Sequence, residues 1–244
     1  SLASPVSTPV ICAYARTPFG RFRGALANYT AVELGTLAVE GVLERAGIDP
    51  HSGIIDQVYM GQVLQAGAGQ APARQVAIAA GLPYSTPCTT INKVCGSSLK
   101  AVMVAATEIM AGKSNVVIAG GMESMSQAPH FIRGARRGDE ISFAELTGIL
   151  SHDGLKDAYD GSMMGITGET IAKESDISRS ESDKYALRSH TLSDSAWEKG
   201  WLEEEIVSID ELERDEGIRI DTSIEDLAGL RTVFKDDGQV TAGN

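Results

Sequence analysis

The chain has 244 residues, 43% of them hydrophobic and 22% charged, with 26 glycines and 8 prolines. That composition excludes a disordered, collagen-like or repeat protein and supplies a core. A formal net charge of −12 repels phosphate backbones, which sets nucleic acid aside as a partner, and no apolar run approaches the roughly 18 residues of a membrane span.

At roughly 150 residues per domain, the length predicts one large domain or two smaller ones. Three cysteines are too few and odd in number for a disulfide framework and fit a reducing compartment. The first ten residues are small and polar, without the basic and apolar segments of a secretory signal. The expectation is a cytoplasmic protein or a mature organellar one, mitochondrial or peroxisomal.

Val10-Ile11-Cys12-Ala13-Tyr14 reads as a short buried strand. Thr30-Ala31-Val32-Glu33 is a capping box opening a helix that Gly47 ends, with Leu34, Leu37, Ala38, Gly41 and Val42 on one stripe. A second strand is expected over 54–60, a small-residue helix over 71–80 and a third strand over 88–91. From Cys95, the residues Leu99, Val102, Met103, Ala106, Ile109 and Met110 repeat at the helical period, so a helix is expected to start at Cys95 itself and stop at Gly112. Val116-Val117-Ile118-Ala119 then forms a buried strand leading into Gly120-Gly121. This alternation predicts a mainly parallel sheet with helices on both faces. The acidic remainder has weaker periodicity. A boundary near Met122 to Met125 divides the chain into 1–123, an α/β domain, and 124–244, whose clearest element is a helix opened by the capping box Ser178-Arg179-Ser180-Glu181 and running to about Lys199. Beyond that helix, acidic loops are expected.

Cys95 follows a strand, precedes Gly96-Ser97-Ser98 and opens a helix. The free N–H groups and dipole of a helix start lower a thiol's pKa and donate to an oxyanion, which is a nucleophile's environment. A small buried cysteine at a helix start is the other reading. Cys12, inside an apolar strand, and Cys88, at a strand start, read as structural, and the strand geometry between Cys88 and Cys95 argues against a disulfide. Gly112-Lys113-Ser114 ends a helix and lacks the upstream glycine of a phosphate loop. Gly67-Ala68-Gly69 lacks the third glycine of a dinucleotide fingerprint. His51, His130, His152 and His190 are scattered without metal spacing and read as solvated or structural, so no metal site is expected. Met163-Met164, between Gly161 and Gly165, does not read as a helix face; it either lines an acyl pocket or fills core.

Three segments taken together resemble the thiolases: Ala15-Arg16-Thr17-Pro18-Phe19-Gly20-Arg21-Phe22-Arg23-Gly24, Ile91-Asn92-Lys93-Val94-Cys95-Gly96-Ser97-Ser98-Leu99-Lys100-Ala101 and Gly120-Gly121-Met122-Glu123-Ser124-Met125-Ser126. The resemblance continues through Met164-Gly165, Asp215-Glu216-Gly217-Ile218-Arg219 and Thr241-Ala242-Gly243-Asn244. It implies an α/β fold, a thiolase-like βαβ layered sheet with an inserted α+β loop domain that binds coenzyme A and carries oligomer contacts, the second thiolase half being absent. It implies an acyl-CoA:acetyl-CoA C-acyltransferase, either an acetyl-CoA acetyltransferase or a 3-ketoacyl-CoA thiolase, working by ping-pong with Cys95 as the acylated nucleophile and its backbone N–H as an oxyanion donor.

The substrates implied are coenzyme A thioesters, with no metal or redox cofactor, and the partners implied are acyl-CoA, CoA and further copies of the chain in a dimer or tetramer. Arg219 matches the position that holds the CoA nucleotide in the family; a solvated charge is its other reading. Where many biosynthetic members carry His-Met-Gly, this chain has Met163-Met164-Gly165, so Met163 stands in place of the histidine that contacts acyl-CoA. The family's Asn-Glu-Ala-Phe asparagine, Gly-His-Pro histidine and second cysteine belong to the second half, so the 244 residues alone are expected to be catalytically crippled. Two other readings compete: a stand-alone acyl-CoA-binding or scaffold protein with half the fold, and another condensing enzyme, such as an HMG-CoA or ketoacyl synthase.

Overall fold

The structure, a computed structural model, describes residues 7–244. Of the N-terminal stretch read above as lacking a signal, residues 1–6 lie outside the described residues. Three strands, β1 (Gln57–Gly61), β2 (Cys88–Ile91) and β3 (Val117–Gly121), form a parallel sheet in the order β2-β1-β3. Helices α1 (Ala31–Ala46) and α2 (Pro72–Ala79) pack on one face and α3 (Ser97–Met110) on the other. The alternation of β1 sets this up: Val58 and Met60 enter the core under α1 and α2 with Val39, Leu43 and Val76, while Tyr59 turns to the opposite face against Ala101 and Ala105 of α3. The expected α/β class and the helices on both faces are what the structure contains.

Helix α1 has both of its expected ends. Thr30 Oγ1 accepts from Glu33 N–H at 3.1 Å and Glu33 Oε2 accepts from Thr30 N–H at 2.8 Å. Gly47, at φ +64°, takes the left-handed cap that a side chain disfavours.

The expected strand over 10–14 is not formed. The segment carries no ladder, and its neighbourhood holds one isolated parallel bridge, Arg16 to Ile206. Val10 and Ile11 are 73% and 81% exposed, and Cys12, expected inside the strand, is exposed as well. The physical reason is pairing: apolar residues become a buried strand only with a hydrogen-bonded neighbour. The outer edge of β3, the terminal strand of this sheet, faces the segment across a cleft instead of bonding to it.

Beyond β3 come a short antiparallel pair, β4 (His130–Phe131) and β5 (Thr147–Gly148), a π-helical turn at Leu150–Leu155, and three helices, α4 (Met164–Glu174), α5 (Arg179–Glu198) and α6 (Ile224–Ala228). Helix α5 carries its expected capping box. Helix α4 corrects the reading of Met163-Met164: Met163 is the N-cap and Met164 the first helical residue. Gly165 permits this because it lies under Phe234, where a Cβ would meet the ring at 2.1 Å. The loops expected after α5 include α6, capped by Ser223 and Asp226.

Buried carboxylates fasten these pieces. Glu169 of α4 accepts from the N–H groups of Gln239 and Val240. Asp183 of α5 accepts from Arg179 Nε at 2.9 Å and Asn244 Nδ2 at 2.8 Å.

Candidate active site

The three strands end side by side at their carboxyl ends, with Gly61 opposite both Ile91 and Gly121. In parallel sheets this edge is where ligands bind. Both glycines are needed there. A Cβ on Gly61 would fall 2.6 Å from Ser98 N and 2.8 Å from Ser97 Cβ, and one on Gly121 would fall 2.6 Å from Ser98 Cβ. Their bare backbones let the start of α3 rest directly on the sheet.

Cys95 sits on the turn between β2 and α3, exposed. The expectation that α3 begins at Cys95 is corrected by two residues: Gly96 is the N-cap and Ser97 the first helical residue. Val94 stands at φ +46° and the N-cap Gly96 at φ −91°, ψ 12°, both outside the helical region, and Cys95 lies on the turn between them. The buried-cysteine reading of Cys95 falls with its exposure.

The Cys95 turn borders a cleft of ≈ 1150 Å³ bounded by residues 9–22, by α1, by the free edge of β3 and by the inner side of α3. The walls are largely apolar, with Gln62 and Glu123 among the polar groups. The Glu123 carboxylate, half-buried, accepts from Val63 N–H at 2.9 Å and Leu64 N–H at 3.2 Å. Burial pushes its pKa up, against the two N–H bonds that favour the charged form. Gln62 is 2% exposed and donates from Nε2 to Leu64 O, while its Oε1 has no partner among the described residues.

Of the other two thiols, Cys88 differs from Cys95 in burial, and Cys12, like Cys95, is exposed. Cys88 is half-buried, with Sγ 3.3 Å from Thr86 O. Burial pushes that thiol's pKa up, offset in part by the Arg74 guanidinium beside it, which suits its structural reading. Cys12 borders the same cleft as Cys95.

The structure does not bring the other expected site residues to Cys95. Met163 and Met164 are not among the residues lining its cleft, where Leu150, Gly154 and Leu155 stand instead. Arg219 is exposed, and its backbone N–H donates to His190 Nδ1 on α5 at 3.1 Å, which gives His190 a structural contact. Sequence reasoning missed Asn92, Ser97 and Glu123 as individuals, although all three lie in the resembling segments. The only signal for Asn92 was the general tendency of asparagine to bond the backbone N–H two residues on, as in an Asx-turn. No group of three or more His, Cys, Asp or Glu among the described residues is placed to hold a metal ion, and no helix among them is long and apolar enough to cross a membrane.

Comparison with known proteins matches residues 9–244 to the thiolase N-terminal domain. An acetyl-CoA acetyltransferase of Cupriavidus necator is 46% identical, covering 96% of this chain and 62% of its own length. A probable acetyl-CoA acetyltransferase of Escherichia coli is 46% identical over 96% of this chain and 61% of its own. A mitochondrial acetyl-CoA acetyltransferase of Danio rerio is 43% identical over 96% and 57%. The chain thus spans about three fifths of the length of the curated relatives it matches.

Proposed function

Since the chain belongs to the thiolase family, we propose that it is the nucleophile-bearing part of an acyl-CoA:acetyl-CoA C-acyltransferase, with 1–123 as the α/β domain and 124–244 as the loop domain. The observation that carries the reading is the seat of Cys95: an exposed thiol on a tight turn before a helix, at the carboxyl edge of a parallel sheet, opening on an apolar cleft. The relatives named acetyl-CoA acetyltransferase make acetyl-CoA the first substrate to try.

In the first half-reaction the Cys95 sulfur attacks the thioester carbonyl. The oxyanion gathers near the Cys95 N–H and the start of α3, and the C–S bond to coenzyme A breaks, releasing CoA and leaving an acyl-cysteine. In the second, the α-carbon of acetyl-CoA attacks that acyl carbon and the Cys95 sulfur leaves; thiolysis is the reverse. The proton transfers are assigned to groups of the family's second half. Neither half-reaction carries a net oxidation or reduction, so the step needs no redox cofactor; the substrates proposed are coenzyme A thioesters, and no metal is included in the reading. Arg219 is assigned to the CoA nucleotide and Met163 and Met164 to the acyl-CoA approach, with a second copy of the chain as partner. The compartment proposed is cytoplasmic or organellar.

The test uses a protein containing this stretch and the family's remaining length. With acetyl-CoA, peptide mapping is expected to show one acetyl group on Cys95 and release of one CoA, lost in Cys95→Ala, and acetoacetyl-CoA plus CoA is expected to give acetyl-CoA. Tight binding of acetyl-CoA without acylation would favour the acyl-CoA-binding scaffold. Acylation without thiolysis of acetoacetyl-CoA would favour another condensing enzyme.

A further inference from the structure

Four described non-glycine residues have positive φ, and Val94, at +46°, is the β-branched one among them. A β-branched side chain at positive φ is a genuine outlier, and such a residue persists only where its surroundings over-determine it. Here the determinants are two side chains. Asn92 Oδ1 accepts from Val94 N–H at 3.0 Å. Ser97 Oγ accepts from Lys93 N–H at 2.8 Å and donates to Val94 O at 2.5 Å. Two backbone bonds close the same turn, Gly96 N–H to Lys93 O and Ser97 N–H to Val94 O, each at 3.1 Å. Ser97 is 5% exposed and rests on Gly61, so its hydroxyl cannot swing away without vacating a packed position.

The residue after Val94 is Cys95. The helical pattern of this segment includes Cys95, on the stripe of Leu99 and Val102, and a right-handed Val94 would favour starting the first turn ahead of the thiol. The left-handed Val94 turns the chain ahead of the N-cap Gly96, at φ −91°, ψ 12°, and between them the thiol stays outside the helix, exposed, two residues before a buried serine.

We propose that Asn92 and Ser97 form a side-chain clasp that holds Val94 left-handed and thereby presents the Cys95 thiol to the cleft, which makes both of them positioning residues for the nucleophile. The inference rests on the reading of Cys95 as nucleophile. It adds two residues whose only contacts with the chemistry run through the backbone.

The test reads the alkylation rate of Cys95 by limiting iodoacetamide against that of Cys12 in the same molecule, by peptide mapping, in the 244-residue chain. Exposed Cys12 lies outside the turn and reports general accessibility. Cys95 is expected to react faster than Cys12, and Ser97→Ala and Asn92→Ala are each expected to lower the Cys95-to-Cys12 ratio by roughly tenfold while circular dichroism is unchanged. Asn92→Ser, which keeps an acceptor for the N–H two residues on, is expected to restore much of the ratio. Val94→Gly added to Ser97→Ala is expected to do the same, because glycine takes positive φ without a clasp.

Because Asn92 is exposed, its variants decide the matter even if Ser97→Ala does not fold. A fast Cys95 whose ratio is unmoved by Asn92→Ala, with Ser97→Ala unmoved or unfolded, overturns the clasp alone. A wild-type Cys95 no faster than Cys12 overturns the nucleophile reading and the clasp together.

Discussion

The Asp215 carboxylate grips the Arg16 guanidinium with both oxygens, Oδ1 to Nη1 at 2.7 Å and Oδ2 to Nη2 at 3.0 Å. The pair joins residues 199 apart in sequence and binds two of the segments that carry the family resemblance to each other. Asp215 also accepts from Phe19 N–H and Trp197 Nε1–H, and Glu216 accepts from Arg21 N–H and Ala25 N–H.

Burial alone would raise the Asp215 pKa, but the Arg16 pair and the two N–H donors outweigh it and hold the group below the usual carboxylate range. A carboxyl depressed in the folded state stabilises the fold above its unfolded value, about 3.9, and that stabilisation is lost as pH falls through the native value. Asp215→Asn is therefore expected to cost roughly 1–3 kcal/mol near neutral pH and to flatten the acid limb below about pH 4. Urea unfolding at pH 7 and at pH 3 checks both. An equal cost at the two pH values would show that the carboxylate charge is not what holds the segments together.

Gly61 supports a second prediction. Its Cβ would enter the space of Ser98 N and Ser97 Cβ, and a backbone nitrogen cannot rotate out of the way. Gly61→Ala is expected to lift α3 from the sheet, at a cost of roughly 1–3 kcal/mol, and to slow alkylation of Cys95 while leaving Cys12 unchanged. Gly217→Ala is the control for the loss of a glycine, since nothing lies within 4 Å of a Cβ there and its φ is not positive. If the two variants behave alike, the contact between turn and sheet is not what shapes the Cys95 seat.

Arg219 gives the third. Its side chain is exposed and makes no ion pair among the described residues, while its backbone is tied to α5 through His190. An exposed cation is worth at most about 1 kcal/mol to an anionic ligand, so Arg219→Ala is expected to weaken CoA binding by up to about fivefold. In the full acyltransferase it should raise KM for the CoA ester with little change in kcat, since a contact remote from the reacting carbon binds ground state and transition state alike. Titration calorimetry with CoA reads the first effect. Unchanged binding with unchanged stability would return Arg219 to being a surface charge.

The sequence exposes what periodicity and capping control. Helix α1 shows both ends in Thr30, Glu33 and Gly47, and α5 shows its start in Ser178 and Glu181, because these signals act within a few residues. The strand expected at 10–14 failed for the opposite reason: pairing is a long-range property, and five apolar residues do not encode whether a neighbour lies beside them. Helix α4 was hidden because its apolar residues are interrupted by Gly165 and Gly168, which are there for packing against Phe234 and Val240. Around Cys95 the strand–turn–helix setting was legible, whereas the two-residue delay in α3 accompanies a turn closed by the hydroxyl of Ser97 and the amide of Asn92, which no apolar pattern records.

The fourth prediction concerns association. Helix α3 buries Ala101 and Ala105 against the sheet, yet Leu99 on the same helix is 67% exposed and Val102, Met103 and Met110 are also exposed. These lie at spacings of three, four, seven and eight residues on the remaining arc, so the helix is apolar on more of its circumference than its own sheet covers. The loop between β4 and β5 adds Ile141, Phe143 and Leu146, with Phe143 90% exposed, beside the basic residues Arg133 and Arg136. Apolar patches of a few hundred Å² mark interaction surfaces, and at roughly 25 cal/mol per Å² each contributes several kcal/mol before the cost of association. The chain is therefore expected to sediment above its 25.8 kDa monomer mass at micromolar concentration and to bind a hydrophobic dye. Leu99→Lys with Met103→Lys should shift it toward monomer if the α3 face makes the contact, and Phe143→Asp should do so if the loop does. A wild-type chain that sediments as a monomer and binds no dye would mean that these side chains are covered by the chain itself, in a packing different from the one described.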